Sequence, residues 1–246
     1  MEIDSSTLDH KAAYKLMIGS IIPRPIAWVS TLSTSGVANL APISFFTSVG
    51  STPPRVSLSI QSKSDRVTAK DTLSNIKATG EFVVNMATLP QIAALNNSAR
   101  EFEPDEDEFE MVDLDKEAST MVSPPRVKGA PIAFECRVFQ VFGSPDGLAG
   151  VVWGDVVNFH VRDDIYVNGR IDFGALAPVG RLAAEYTVVD NAFIPPLDNS
   201  VMKERTSRRM QRLDRHGEDY SPIDTDAWSS SGSVMGPWSS ITTTDD

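Results

Sequence analysis

The sequence predicts a mainly β fold: an antiparallel barrel interrupted by short helices. Three observations carry this. Strand-like runs rich in β-branched and aromatic residues recur along the chain, and the two longest, IAFECRVFQVFG (132–143) and AGVVWGDVVNFHV (149–161), are joined by a turn at Asp146-Gly147, a strong hairpin signal. Helical patterns are few and short. Turn signals such as STSG (33–36) and the Asn168-Gly169 pair separate the strand-like runs.

In chain order, HKAAYKLMIG (10–19) reads as a short helix ending at Gly19. IAWVSTLS (26–33) is a strand, STSG (33–36) a turn in which Gly36 takes positive φ, and VANLAP the returning strand. Ser44, Phe45 and Phe46 then form a loop with an aromatic tip. RVSLSIQ (55–61) alternates with period two, as a half-buried strand does. TAKDTLSNIKATG (68–80) is a short helix with Asp71 as N-cap, Leu73 and Ile76 pointing inward and Gly80 just past its end. EFVVNMA (81–87) is a strand and LPQIAALNNSA (89–99) a short helix. REFEPDEDEFEMVDLD (100–115) is acidic and reads as a solvated loop or frayed helix. NGRIDFG (168–174) supplies a further turn and short strand.

From about Asp198 the character changes. VMKERTSRRMQRLDRHG (201–217) is basic, and the last thirty residues are rich in Ser, Thr, Asp, Pro and Gly, yet hold Trp228 and Trp238. The expected division is one domain over 1–197 and a C-terminal arm over 198–246, docked on its own domain or on a partner subunit.

Composition bounds the function. The 246 residues are 41% hydrophobic and 22% charged, enough for a sizeable core. The formal net charge of −11 opposes nucleic acid and anionic membrane surfaces. No apolar run reaches the roughly 18 residues of a membrane span, and the acidic N-terminus is unlike a signal peptide. One cysteine, Cys136, excludes an internal disulfide and points to a reducing, cytoplasmic setting. Phosphate-loop, Rossmann, HExxH, CxxC and GxSxG patterns are all missing. With His10, His160 and His216 far apart, no metal site is expected. His160 reads as an ordinary strand histidine. Cys136, in phase with Phe134 and Val138, reads as a buried thiol.

Against this acidic background, Pro23 to Ile76 gathers unlike parts. Lys63, Arg66 and Lys70 lie among Ser62, Ser64, Thr68 and Thr72. The start of the helix near Asp71 offers free N–H groups and the positive end of its dipole. Lys70 adds a point charge, and Ser59 and Thr72 add hydroxyls. Together these suit a phosphate. Asp71 would repel an anion if it faced one, and is therefore expected to cap its own helix. Ile26 to Val29 and the segment Asn39 to Phe46 suit a flat heterocycle, with Asn39 and Ser44 as hydrogen-bonding groups. A solvated helix start and a core strand with an aromatic plug fit the same spacings.

PRPIAWVST (23–31), NLAPISFFTSVGSTPP (39–54) and KDTLSNIKATGEFVVN (70–85) resemble the flavin reductase-like, FMN-binding split-barrel family. PPRVKGAPIAFECRV (124–138), GDVVNFHV (154–161) and PVGRLAAEY (178–186) extend the resemblance, which runs from about Tyr14 to Phe193. It implies an antiparallel Greek-key split barrel of about six strands, a homodimer, and FMN rather than FAD near the subunit interface. By position, Trp28, Val29, Ser30 and Thr31 would line the flavin and its ribityl chain. Asn39, Ala41, Pro42, Ser44 and Phe45 would hold the ring. Ser59, Lys70 and Thr72 would take the phosphate and ribityl hydroxyls. Arg181 and Tyr186 match a late motif with a structural role or one across the dimer. Ala183-Ala184 stand where the family has paired glycines, and the arm after Asp198 is longer than the family's ending.

The implied activity is hydride transfer from NAD(P)H to flavin N5, with reduced flavin passed to a partner oxygenase or an internal acceptor. No dinucleotide motif selects NADH over NADPH, and no catalytic side chain is assigned. Two alternatives stand beside it: an FMN enzyme acting on a specialised small molecule under the C-terminal arm as a lid, and a non-catalytic flavin-binding electron carrier.

Overall fold

The computed structural model describes residues 1–189, apart from the side chain of Phe173. The expectations for the basic run 201–217, for Trp228 and Trp238, and for a boundary at 197/198 lie outside the described residues.

Seven strands form the main sheet: β1 (Ala27–Leu32), β2 (Ala38–Ile43), β3 (Phe46–Ser51), β4 (Pro54–Ile60), β5 (Glu81–Met86), β6 (Ile132–Gly143) and β7 (Gly150–Val161). Their order is β2-β1-β5-β6-β7-β4-β3, and every neighbouring pair is antiparallel. Within it, β5, β6 and β7 are successive neighbours and β4, which precedes them in the chain, lies beside β7; this is a Greek-key return. The edge strands β2 and β3 are consecutive in the chain, with only Ser44 and Phe45 between them. A flat sheet of seven strands at the usual spacing of about 4.8 Å would put its edges roughly 29 Å apart, far beyond the reach of so short a linker. The sheet must therefore roll until its two ends approach at the linker, and β2 comes into contact with β4 from the opposite end of the sheet.

Rolling creates two cores. Inside the barrel, Ala27, Val29, Ile43, Val56, Leu58, Ile60, Phe82, Val84, Cys136, Val152 and Val156 pack with Leu73 and Ile76. Those last two belong to helix α2 (Asp71–Thr79), which plugs the barrel between β4 and β5. Outside, Trp28, Ala38 and Leu40 pack beneath Leu95, Phe109, Val127 and Val179. Strand β1 is thus buried on both faces, which explains its nearly unbroken apolar composition.

Several expectations are met in detail. Helix α1 spans His10–Ser20 and is capped by the Asp9 side chain; Gly36 has φ 86°; Gly80 ends α2 with φ 74°. Cys136 is fully buried, and burial pushes its thiol pKa far up. Others are corrected. The segment after Ser44 is no aromatic-tipped loop, because Phe46–Ser51 pairs with β4 as a full edge strand. The N-cap of α2 is Lys70; Asp71 is its first helical residue, and its carboxylate pairs with Lys63 Nζ at 2.8 Å instead of capping. The acidic stretch is not all solvated: α3 (Ile92–Asn97) precedes it, and its own α4 (Glu108–Met111) seats Phe109 in the outer core.

His160 does more than fill a strand. It bonds Glu135, a fully buried carboxylate that also accepts from Thr120 N at 2.8 Å and Val122 N at 3.1 Å. Burial alone would raise the Glu135 pKa, but the bonds from His160, Thr120, Met121 and Asn158 outweigh it and hold the group at about 2.

The interior is filled to contact at one glycine. A Cβ on Gly154 would lie 2.4 Å from Phe82 Cζ and 3.4 Å from Cys136 Cβ. Gly154→Ala should therefore destabilise the barrel by about 1–3 kcal/mol, read as a lowered urea midpoint at unchanged slope. Adding Phe82→Leu should recover part of that loss, because the two sites share one volume.

Candidate functional site

The cleft opens where the barrel closes. It has a volume of about 720 Å³ and is walled by the Pro42–Phe45 linker, the end of β4 at Ser59 and Ile60, the loop 61–70, helix α1 and the β6–β7 turn. A side cavity of about 50 Å³ adjoins it, between Asn39, Ala41, Pro42, Lys70, Thr72 and Glu108.

The wall at the linker is held by Arg24. Its guanidinium is buried and donates to the carbonyls of Ile18 (2.5 Å), Ile21 (3.0 Å) and Leu182 (2.6 Å), and through Nε to Ser44 Oγ (3.3 Å). Its main chain exchanges two bonds of 2.8 Å with Arg181. One side chain thus fixes the end of α1, the 181–182 segment and the barrel's closing linker. Phe45 lies under the same guanidinium, 5.9 Å from ring centroid to Cζ. Within the chain the late motif packs on itself and on α3: Arg181 stacks on Tyr186 at 4.4 Å, and Tyr186 donates to Asn96 Oδ1 at 3.1 Å. Neither it nor Ala183-Ala184 lines the cleft.

The cationic wall comes from a self-bonded loop. Lys63 N donates to the Thr68 carbonyl, Arg66 N to the Lys63 carbonyl, and the Asp65 carboxylate accepts from Val67 N and Thr68 N. The Asp71 carboxylate bonds Lys63, raising its pKa and compensating its positive charge. Lys70 forms no ion pair within 4 Å among the described residues. It stands at the start of α2, where the N–H groups of Asp71 and Thr72 have no intrahelical acceptor. The Glu101 carboxylate accepts from Ser64 N (2.7 Å) and Ser64 Oγ (2.8 Å), which lower its pKa.

Of the twelve residues expected at the ligand, five line the main cleft: Pro42, Ser44, Phe45, Ser59 and Lys70. Asn39, Ala41 and Thr72 line the side cavity, together with Pro42 and Lys70. Trp28, Val29, Ser30 and Thr31 do not come to either. All four are fully buried. Val29 faces the barrel interior; Trp28 Nε1 donates to Ser98 Oγ at 2.8 Å; the Ser30 hydroxyl is spent on the Pro125 carbonyl; Thr31 Oγ1 accepts from Asn75 at 3.1 Å. They build the wall behind the cleft.

Glu108 is the residue that sequence reasoning missed, hidden in a run of ordinary surface acids. It is 7% exposed, and Oε2 accepts from Leu40 N at 2.6 Å. The surrounding groups orient the Asn39 amide so that its nitrogen donates to Glu108 Oε1 and its oxygen accepts from Thr72 Oγ1, each at 3.0 Å. Asn39 and Thr72 therefore spend their side chains on this network. Burial pushes the Glu108 pKa up to about 7, against the Leu40 hydrogen bond, with Asp71 adding to the rise and Lys63 and Lys70 opposing it.

The fold and its cleft define a split-barrel domain. Residues 18–175 match the family described as flavin reductase like domain, and the chain belongs to that family. An uncharacterized protein of Aquifex aeolicus is 37% identical over 189 residues, 76% of this chain and 95% of that one. Another from Halalkalibacterium halodurans is 39% identical over 187 residues, covering 74% and 89%. Among solved structures, nitrilotriacetate monooxygenase component B from Bacillus cereus is 37% identical with a TM-score of 0.75, covering 79% of this chain and 98% of its own. The 2-nitrobenzoate 2-nitroreductase of Pseudomonas fluorescens is 29% identical with a TM-score of 0.72, covering 81% and 97%.

The Glu108 shift sets a pH dependence of stability. Its folded pKa lies above the ordinary 4.5, so the folded state holds the proton more tightly and stability falls as pH rises from about 4.5 to 7. This one group should cost about 3 kcal/mol across that range. Urea unfolding in a pH series should show the decline, and Glu108→Gln should flatten it. An equal slope in the variant would remove Glu108 as its origin.

Proposed function

We propose that the chain is an FMN-dependent oxidoreductase of the flavin reductase type that uses NADH or NADPH. The cleft is the observation that carries this reading. It is apolar and aromatic at Pro42, Ile43 and Phe45, hydroxyl-lined at Ser44 and Ser59, and cationic at Lys70. Its volume suits a ligand of that size. Family membership supports a flavin as the occupant, and the compactness of the cation–hydroxyl group supports FMN over FAD.

The residues fit such a group at both ends. Lys70 and the first N–H groups of α2 would hold the phosphate, and Ser59 would meet the ribityl chain. Pro42, Ser44 and Phe45 would flank the ring. Asn39 and Thr72, held by Glu108, would shape the floor between them. Flavin bound there supplies hydride acceptance at its N5. The chain contributes binding and orientation: Arg24 fixes the linker that carries Ser44 and Phe45, and the closed barrel behind it keeps that wall rigid.

The likeness to a monooxygenase component supports delivery of reduced flavin to a partner oxygenase. The likeness to a nitroreductase favours a second reading, in which a small aromatic substrate is reduced in the cleft itself. A homodimer is part of the proposal. Phe139, Phe142 and Phe159, each about half exposed on β6 and β7, offer apolar surface to a second copy. Light scattering should give twice the chain mass, and a monomer at micromolar concentration would remove the dimer.

Purified protein mixed with FMN should bleach the flavin anaerobically on addition of NADH or NADPH. Lys70→Met should weaken FMN binding by about 10- to 100-fold, the loss of one charge-assisted contact, while leaving riboflavin affinity unchanged. No bleaching with either nucleotide refutes the reductase. Equal losses for FMN and riboflavin refute the phosphate assignment.

A further inference from the structure

The cleft has a second cationic rim that no part of the flavin assignment uses. Across from the linker, α1 presents His10, Lys11 and Tyr14, and the loop 61–70 presents Arg66. Arg66 Nη2 lies 3.0 Å from His10 Nδ1. A guanidinium can only donate, so Nδ1 is the acceptor and the imidazole carries its proton on Nε2. An imidazole brings no negative charge, so this contact leaves the arginine's charge uncompensated. Neither Arg66 nor Lys11 forms an ion pair within 4 Å among the described residues.

The backbone makes the same point. Arg66 has φ 60°, in the left-handed region, which is unfavourable for a residue with a Cβ. An asparagine or glycine would hold that turn at less strain, yet the position carries a long cation whose guanidinium reaches His10 at the cleft rim. The His10 ring lies parallel to Tyr14, with an interplanar angle of 5° and centroids 6.4 Å apart, so the cation sits beside a flat aromatic edge. Of the acids lining the cleft, Glu101 is engaged by Ser64, and Asp146 by the Ser144 hydroxyl and Leu148 N. With Lys63 paired to Asp71, the lining groups still set three cations (Lys11, Arg66, Lys70) against two carboxylates (Glu101, Asp146) in a chain of net charge −11.

We propose that Arg66, with Lys11 and the His10–Tyr14 pair, is the anion-recognition subsite for the second ligand of the cleft, a flat ring bearing phosphate or carboxylate. This rests on the flavin reading above. It adds to that reading which residues select the partner of the flavin, and by what chemistry. The anion has two possible sources, the phosphates of a pyridine dinucleotide and the carboxylate of a small aromatic acid.

The test uses the full chain loaded with FMN, comparing wild type, Arg66→Met and Arg66→Lys. FMN affinity is measured first: failure of the wild type to bind FMN sinks the flavin reading and is told apart from everything that follows. Anaerobic flavin reduction is then followed with NADH, with NADPH and with 1-methyl-1,4-dihydronicotinamide, which carries no phosphate. Benzoate binding is followed by its perturbation of the flavin spectrum. Arg66→Met should leave FMN affinity and the rate with the neutral dihydronicotinamide unchanged. It should raise KM for the dinucleotides, or Kd for benzoate, by about 10- to 100-fold, the loss of one charge-assisted hydrogen bond. Arg66→Lys should restore part of this, since it keeps the charge and loses the planar fork. The arm that moves identifies the source. The proposal is overturned if neither arm moves, or if the neutral donor slows as much as the dinucleotides.

Discussion

Two residues between two edge strands set the terms for the rest of this fold. Because Ser44 and Phe45 alone join β2 to β3, the sheet cannot lie open. Rolling it gives an inside that must be filled with apolar side chains and an outside that must be covered. α2 answers the first demand with Leu73 and Ile76. α3, α4 and the segment 126–130 answer the second over Trp28 and Leu40. The linker also marks the place where the barrel wall is thinnest in hydrogen bonds, and the cleft lies there. Arg24 offsets that thinness by tying the linker to α1 and to the chain near Arg181.

Charge in and around the cleft is partitioned rather than simply accumulated. Asp71 takes Lys63 out of play, Ser64 occupies Glu101, and Glu108 is drawn inward to organise Asn39, Leu40 and Thr72. What remains available is Lys70 on one side and Arg66 with Lys11 on the other. An acidic protein can thereby present two separate cationic points without a broad basic face, which would attract polyanions indiscriminately.

Much of this was legible in the sequence. Period-two runs, turn pairs such as Asp146-Gly147 and the glycine after α2 located six of the seven main strands and the principal helix, because those signals are local. The order of the motifs pointed to the family, and hence to Pro42, Ser44, Phe45, Ser59 and Lys70 at the cleft. The failures share one cause: each depended on what lies across space. FTSVGS has no apolar alternation, and it becomes a strand only because β4 lies beside it. EDEFEM looks like a solvated run until Phe109 finds the pocket over β2. The cap at Asp71 was a sound local inference that a cation eight residues away overrode. Similarly, nothing in HKAAYKLMIG revealed that its first turn would face Arg66.

Strand β3 carries a register shift between Ser48 and Gly50 and is almost wholly exposed. It is also one of the two outermost strands, with a row of backbone groups that no strand of the main sheet covers. A straight edge of that kind would be a template for strand addition by any passing chain. The bulge bends and twists it, interrupting the regular spacing of donors and acceptors that a seventh-to-eighth pairing needs. The bulge therefore helps keep a rolled sheet from growing sideways into an aggregate.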